Sequence, residues 1–142
     1  MTTFEHKTAF VTGAASGIGL ALTKALIVNG ANVMMSDVDN NALTNAAKEI
    51  GCPERVGTIA CNVADFDSML GASEATIARF GEVNLLFNNA GVSLAGQNGS
   101  FAIEDWRWIV NINLLGVVNG IEIFLPLIRA NKKDGHIVNT AS

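Results

Sequence analysis

Short, nearly continuous apolar runs alternate with longer amphipathic runs along the chain. The short runs predict strands over residues 8–12, 32–36, 55–61, 83–88 and 136–140. The longer runs predict helices over residues 17–29, 40–50, 65–80 and 103–130. Strands that are apolar throughout and separated by helices are typical of a parallel sheet covered on both faces.

This pattern predicts an α/β fold of the Rossmann type, a doubly wound parallel sheet with strand order 3-2-1-4-5 and right-handed crossovers. The length of 142 residues fits one domain, residues 1–142. A ligand is expected at the switch point between strands 1 and 4, beyond the carboxyl ends of the strands. Residues at or just past those ends are Gly13, Asp37, Asn62, Asn89 and Ser142.

Three glycines, Gly13, Gly17 and Gly19, connect the first strand to the first helix. A turn glycine adopts backbone angles that other residues avoid, and the missing side chain lets the backbone approach a ligand. The helix N-terminus offers free N–H groups and partial positive charge to a pyrophosphate. A glycine cluster also occurs in ordinary turns, but its position between strand and helix favours a dinucleotide site.

Asp37 closes the second predicted strand, where a carboxylate can accept hydrogen bonds from the adenosine ribose. It would also repel a 2′-phosphate. No Arg or Lys lies in the glycine segment or directly after Asp37, which favours NAD over NADP. The alternative is a turn residue, because Asp39 and Asn40 are equally typical of turns.

A polar segment, Asn88-Asn89-Ala90-Gly91, follows the fourth strand. Its amides can bind neighbouring backbone and brace the glycine segment, and Ala90 and Gly91 leave room for a nucleoside. The same four residues also fit an ordinary turn. Residues 91–100 are rich in Gly, Ser, Asn and Gln and predict a loop beside the ligand site.

Composition narrows the classes of partner. A net charge of −4 without a basic patch argues against nucleic acid. Cys52, Cys61, His6 and His136 show no metal-ligand spacing, so no metal is expected, and Cys61 is expected in the core. Residues 114–128 contain Asn119, Glu122 and Pro126, which argues against a membrane span. Without signal-peptide features at residues 1–7, a cytoplasmic protein is expected.

The last predicted helix is apolar around more than one face, which predicts a second buried face. The rest of a longer protein or a partner subunit would cover that face. Gly116 and Gly120 have the spacing of close helix packing.

Taken together, the motifs resemble the first part of a classical short-chain dehydrogenase/reductase, over essentially all 142 residues. The matching segments are Thr12-Gly13-Ala14-Ala15-Ser16-Gly17-Ile18-Gly19, Asp37, Asn88-Asn89-Ala90-Gly91, Ile112-Asn113-Leu114-Leu115-Gly116 and Gly135-His136-Ile137-Val138-Asn139-Thr140-Ala141-Ser142.

The resemblance implies roles for individual residues. Ser142 would be catalytic, with its hydroxyl stabilising charge on the substrate oxygen, and Asn113 would hold a water of a proton relay. Asn113 also fits a helix kink, and Ser142 a turn. Asn62-Val63 falls where the family has Asp-Val against adenine. The expected cofactor residues are Gly13, Ala15, Ser16, Gly17, Ile18, Gly19, Asp37, Asn62, Val63, Asn89, Ala90 and Gly91.

The chain departs from the family by containing no Tyr, whereas the family's acid/base pair is Tyr-x-x-x-Lys after the serine. We therefore expect an N-terminal portion, without the C-terminal strands and inactive alone, of an NAD-dependent oxidoreductase. That enzyme would act on an alcohol or ketone and form a homo-oligomer when complete. The alternatives are a non-catalytic dinucleotide-binding module and a receiver-like or flavodoxin-like domain, which the glycines and Asp37 disfavour.

Overall fold

A five-stranded parallel sheet forms the centre of the computed structural model, which describes residues 4–141. The strands are β1 Thr8–Thr12, β2 Asn32–Asp37, β3 Val56–Ala60, β4 Leu85–Asn88 and β5 His136–Asn139. Their order is β3-β2-β1-β4-β5, and every neighbouring pair is parallel. The predicted fold class and strand order are confirmed.

The helices are α1 Gly17–Val28, α2 Asn40–Ile50, α3 Phe66–Phe80, α4 Ile103–Val110 and α5 Gly116–Ala130. The predicted boundaries of helices and strands agree with the observed ones to within one or two residues. Asp65, predicted as the first residue of a helix, instead caps α3, because its carboxylate accepts a hydrogen bond from the Ser68 N–H at 3.0 Å.

Alternate residues of the central strand point to opposite faces of the sheet, which creates two core layers. Ala9 and Val11 pack under α1 and α2 with Leu26 and Leu43. Phe10 points to the other layer, under α3 and α5. There its ring stacks on Phe124 with centroids 4.4 Å apart. The sheet centre is therefore fixed, so the carboxyl ends of β1 and β4 form a rigid edge.

The fifth strand departs from the prediction that both faces of the sheet are covered. Of the four residues of β5, only Ile137 is partly buried, and it packs beneath α5. Val138 points to the opposite face and is exposed. The reason is the topology: β5 lies at the sheet edge beside β4, while α1 and α2 cover the opposite half.

The last helix is continuous from Ile103 to Ala130, as predicted, but contains a π turn at Asn111–Leu115 between α4 and α5. The Gly116 N–H donates to the Asn111 carbonyl, five residues earlier. By length and composition this helix would suffice to cross a membrane, as some core helices of soluble proteins also would. Here its buried residues, such as Phe124 and Ile128, rest on the sheet.

Gly116 and Gly120 bring α5 into close contact with strand ends. A Cβ at Gly116 would lie 2.7 Å from Val63 Cγ2, and one at Gly120 would lie 2.2 Å from Asn88 Oδ1. The predicted close packing of these glycines is therefore confirmed, but their partners are the segments after β3 and in β4 rather than another helix.

Candidate functional site

A cleft of about 750 Å³ lies at the carboxyl ends of β1 to β4, at the predicted switch point. Predicted cofactor residues on its wall are Gly13, Ser16, Gly17, Ile18, Asp37, Asn62, Val63, Asn89, Ala90 and Gly91. Ala15 and Gly19 do not line the cleft, but the Ala15 N–H donates to the Asp37 carboxylate and Gly19 packs against the Gly13 carbonyl. The sequence therefore located both the cleft and most of its lining.

The three glycines of the β1–α1 turn have different structural roles. Gly13 has φ +64°, and a Cβ there would lie 3.0 Å from the Ala90 Cα. Gly19 lies directly beneath the turn, because a Cβ would lie 2.0 Å from the Gly13 carbonyl oxygen. Gly17 has φ +53° and open space on its Cβ side, towards the cleft. Of the three, only Gly17 has open space at the position of a Cβ.

The N-terminus of α1 faces the cleft without a side-chain cap. Ser16 is the N-cap residue but makes no capping hydrogen bond, and the first turn contains no acidic residue. Gly17 and Ile18 are exposed at the cleft. The first N–H groups of a helix have no acceptor within it, so this end is suited to an anionic group such as a pyrophosphate.

Asp37, half-buried at the end of β2, joins this turn to the neighbouring loop. One carboxylate oxygen accepts from the Ala15 N–H and the other from the Asp39 N–H, each at 3.1 Å. A carboxylate has about four acceptor positions, so both oxygens can still accept from a ligand. Asp37 is thus fixed in position and remains available at the cleft wall.

Thr12, at the end of β1, links the glycine turn to the segment after β4, a role the sequence analysis missed. Its hydroxyl accepts from the Asn89 and Ala90 N–H groups, both at 2.9 Å, and donates to the Phe87 carbonyl at 3.3 Å. Asn89 Nδ2 returns a bond to the Thr12 carbonyl at 3.2 Å. The predicted bracing of the glycine turn by the amide pair is confirmed for Asn89.

Asn88 makes a different contact from the one predicted. Its side chain is buried against Gly120, and Nδ2 donates to Asn139 Oδ1 at 2.9 Å. One residue further on, Thr140 Oγ1 donates to Asn89 Oδ1 at 3.3 Å. These two bonds fix the chain that leads towards residue 142. Ser142 itself, the predicted catalytic serine, lies outside the described residues.

Asn113 lies in the π turn and holds the loop after β4. Its Oδ1 accepts from the Val92 N–H and its Nδ2 donates to the Val92 carbonyl, both at 2.8 Å. This two-point contact attaches the loop to the long helix beside Gly91. The helix irregularity considered for Asn113 is present as a π turn, and the residue lies next to the cleft.

Asn62 and Val63 form the part of the cleft wall that follows β3. Asn62 is exposed, and its Oδ1 accepts from the Ala64 N–H at 3.0 Å. Val63 is buried beneath Gly116, and its carbonyl accepts from Asn119 Nδ2 at 2.9 Å. The amide oxygen of Asn62 is therefore already used locally, although it retains one acceptor position.

The long helix supplies a wall that the sequence analysis did not anticipate. Trp108, Asn111 and Ile112 line the cleft together with the residues that follow β2 and β3. Ile112 belongs to the apolar positions for which a cover by a subunit or the rest of a longer protein is predicted, whereas Trp108 and Asn111 had no predicted role. No local motif distinguishes a cleft wall from such a face. Val38, Cys61, Ala64, Val92 and Thr140 also line the cleft and were not predicted as site residues.

Cys61 is buried at the end of β3, as predicted. Burial raises the pKa of its thiol, although a hydrogen bond from Ser68 acts in the opposite direction. The thiol is therefore kept neutral at the cleft wall. Among residues 4–141, no group of three or more His, Cys, Asp or Glu side chains is arranged to hold a metal ion.

Comparison with known proteins gives a consistent result. Residues 7–142 match the family model described as short chain dehydrogenase. The chain is 38% identical to a putative oxidoreductase, SadH, of Mycobacterium tuberculosis, with 100% of this chain and 51% of that protein aligned. It thus spans about half the length of the curated relatives it matches.

Solved structures show the same likeness. A short-chain dehydrogenase/reductase from Burkholderia phymatum in complex with NAD superposes with a TM-score of 0.95 at 34% identity, covering 100% of this chain and 51% of that one. A 3-ketoacyl-(acyl-carrier-protein) reductase from Brucella melitensis complexed with NADH gives a TM-score of 0.93 at 31% identity, covering 99% and 59%.

Proposed function

The chain belongs to the short-chain dehydrogenase family, and from that membership we propose that it forms the NAD-binding part of an oxidoreductase acting on an alcohol or ketone. The observation that supports NAD most directly is Asp37, a carboxylate fixed at the cleft wall with acceptor positions remaining. When bound, NAD would supply the hydride acceptor, and NADH the hydride donor.

Residues of this chain would hold the cofactor along the whole cleft. The exposed N-terminus of α1 at Gly17 and Ile18 would receive the pyrophosphate, and Asp37 would accept hydrogen bonds from the adenosine ribose. Asn62 and Val63 would border the adenine. A 2′-phosphate beside Asp37 would meet a negative charge with no Arg or Lys in the glycine turn to offset it.

The catalytic part of the proposal concerns Ser142 and Asn113. Ser142 would donate a hydrogen bond to the substrate oxygen, where negative charge develops as hydride reaches the carbon. The amide atoms of Asn113 each retain one hydrogen-bonding position beyond the contact with Val92, which is compatible with holding a relay water. The complete protein would be a cytoplasmic homo-oligomer.

Cofactor choice tests the proposal. We expect calorimetric titration of the full-length protein to show NADH binding at least about tenfold more tightly than NADPH, a difference of about 1.4 kcal/mol. Equal or tighter binding of NADPH would refute the preference. Turnover of secondary alcohols with NAD then tests the reaction, since cofactor binding without turnover across a broad panel would favour a non-catalytic binding module.

A further inference from the structure

The two tryptophans of the chain lie two residues apart on α4 but have different surroundings. Trp108 lines the cleft together with Asn62 and Val63, and 45% of its surface is exposed. Trp106 does not line the cleft, and its ring meets Phe101 edge-on at 6.2 Å. Within residues 4–141 the Trp108 indole has no aromatic stacking partner and no hydrogen bond, and part of it faces the cleft.

The position of Trp108 follows from how the long helix is attached to β3. Gly116 rests directly on Val63, and Asn119 binds the Val63 carbonyl. Trp108 lies eight residues before Gly116, or about 12 Å along the helix axis at 1.5 Å per residue. The indole therefore lines the same cleft as Asp37 and the two residues that follow Cys61 after β3, Asn62 and Val63.

We propose that Trp108 is a binding residue for the adenine ring of the dinucleotide, with the indole forming one wall of the adenine site. This inference rests on the proposed NAD-binding function. Asp37 places the adenosine ribose at the β2 end, so the base attached to that ribose extends towards β3 and Trp108. Every base has a π-face, so an adenine can stack on an exposed aromatic side chain such as this indole.

The test compares two substitutions on the same helix in the full-length protein. We expect Trp108→Ala to weaken binding of both NAD and AMP about tenfold by calorimetry, and Trp108→Phe to restore most of it because an aromatic face remains. Trp106→Ala, the matched control, should leave both affinities unchanged. Nicotinamide mononucleotide should bind all of these variants equally.

Fluorescence provides an independent readout. AMP should saturably quench the emission of Trp106→Phe, which retains Trp108, and should hardly change the emission of Trp108→Phe, which retains Trp106. Normal AMP binding by Trp108→Ala, or quenching of Trp108 by nicotinamide mononucleotide but not by AMP, would overturn the inference while leaving NAD binding intact. Failure of the unsubstituted protein to bind NAD would instead refute the proposed function.

Discussion

At the scale of single residues, the carboxylate of Asp37 has two tasks. It fixes the glycine turn through the Ala15 N–H, and it presents a negative charge at the cleft wall. Substitution therefore changes both the shape of the turn and the charge that a ribose or a 2′-phosphate meets.

Replacing Asp37 with Ser tests the charge directly. We expect NADH affinity to fall by about 1.5–3 kcal/mol, because a hydrogen bond to a charged group is lost, and the preference over NADPH to narrow. Calorimetric titration of both cofactors measures this. Asp39→Ser is the control, since Asp39 caps α2 without lining the cleft and Ser also caps helices. An unchanged NADH/NADPH ratio in Asp37→Ser would contradict the assignment.

Ser142→Ala tests catalysis apart from binding. In the full-length protein we expect kcat to fall about 10²–10³-fold, the cost of removing a donor to a developing oxyanion, while NAD affinity stays near normal. Ser93→Ala, at an exposed position in the loop after β4, serves as the control. A near-normal kcat in Ser142→Ala would show that another residue donates the hydrogen bond to the substrate oxygen.

The sequence predicted some of these residues and not others for a physical reason. Asp37 and Asn89 follow strands directly, so their placement at the cleft follows from the alternation of strands and helices. The role of Thr12 depends on N–H groups 77 and 78 residues away, and that of Trp108 on where a helix crosses the sheet. Contacts of this kind are set by packing and leave no local pattern.

At the scale of elements, α5 can pack closely on the sheet because position 120 is a glycine and has no side chain. Asn88 Oδ1 occupies the place of a Gly120 Cβ, while Asn88 Nδ2 binds Asn139. The side chain cannot move away without losing that bond, so the contact has little room to relax.

Gly120→Ala is therefore expected to destabilise the protein by about 1–3 kcal/mol through overpacking, seen as a lower urea midpoint. Gly71→Ala is the matched control, because Gly71 lies within α3 with nothing within 4 Å of a Cβ. There the better helix propensity of Ala should stabilise by about 0.5–1 kcal/mol. If both variants unfold at the same urea midpoint, a Cβ at position 120 does not overpack the contact with Asn88.

Element boundaries were predictable to within a residue or two, but the π turn was not. A helical pattern over residues 103–130 cannot reveal one extra residue in a turn, because the apolar side chains surround much of the helix. The turn places Asn113 against Val92 and thereby fixes the loop that borders the cleft.

At the scale of the whole molecule, an apolar surface runs along the side of the long helix that faces away from the sheet. Leu114 and Val118 are 58% and 42% exposed, and Trp106 and Leu115 lie nearby. Exposed apolar patches of this kind mark interaction surfaces. This is the second face that the sequence predicted would need a cover.

Introducing charge into this surface tests its role in association. We expect the double substitution Leu114→Lys and Val118→Lys to shift sedimentation of the full-length protein towards the monomer, because a charge in an apolar interface loses its hydration. Val28→Lys changes an equally apolar residue, 85% exposed on α1, and should leave sedimentation unchanged. Identical sedimentation of the double variant and the unsubstituted protein would show that this face is not an interface.

The strand order also has a consequence for how the chain folds as it leaves the ribosome. β1 is made first and lies at the centre; β2 pairs with β1, β3 with β2, β4 with β1 and β5 with β4. Each of the other four strands described here therefore emerges after the strand with which it pairs on the β1 side. These five strands can join the sheet in the order of translation, first on one side of β1 and then on the other.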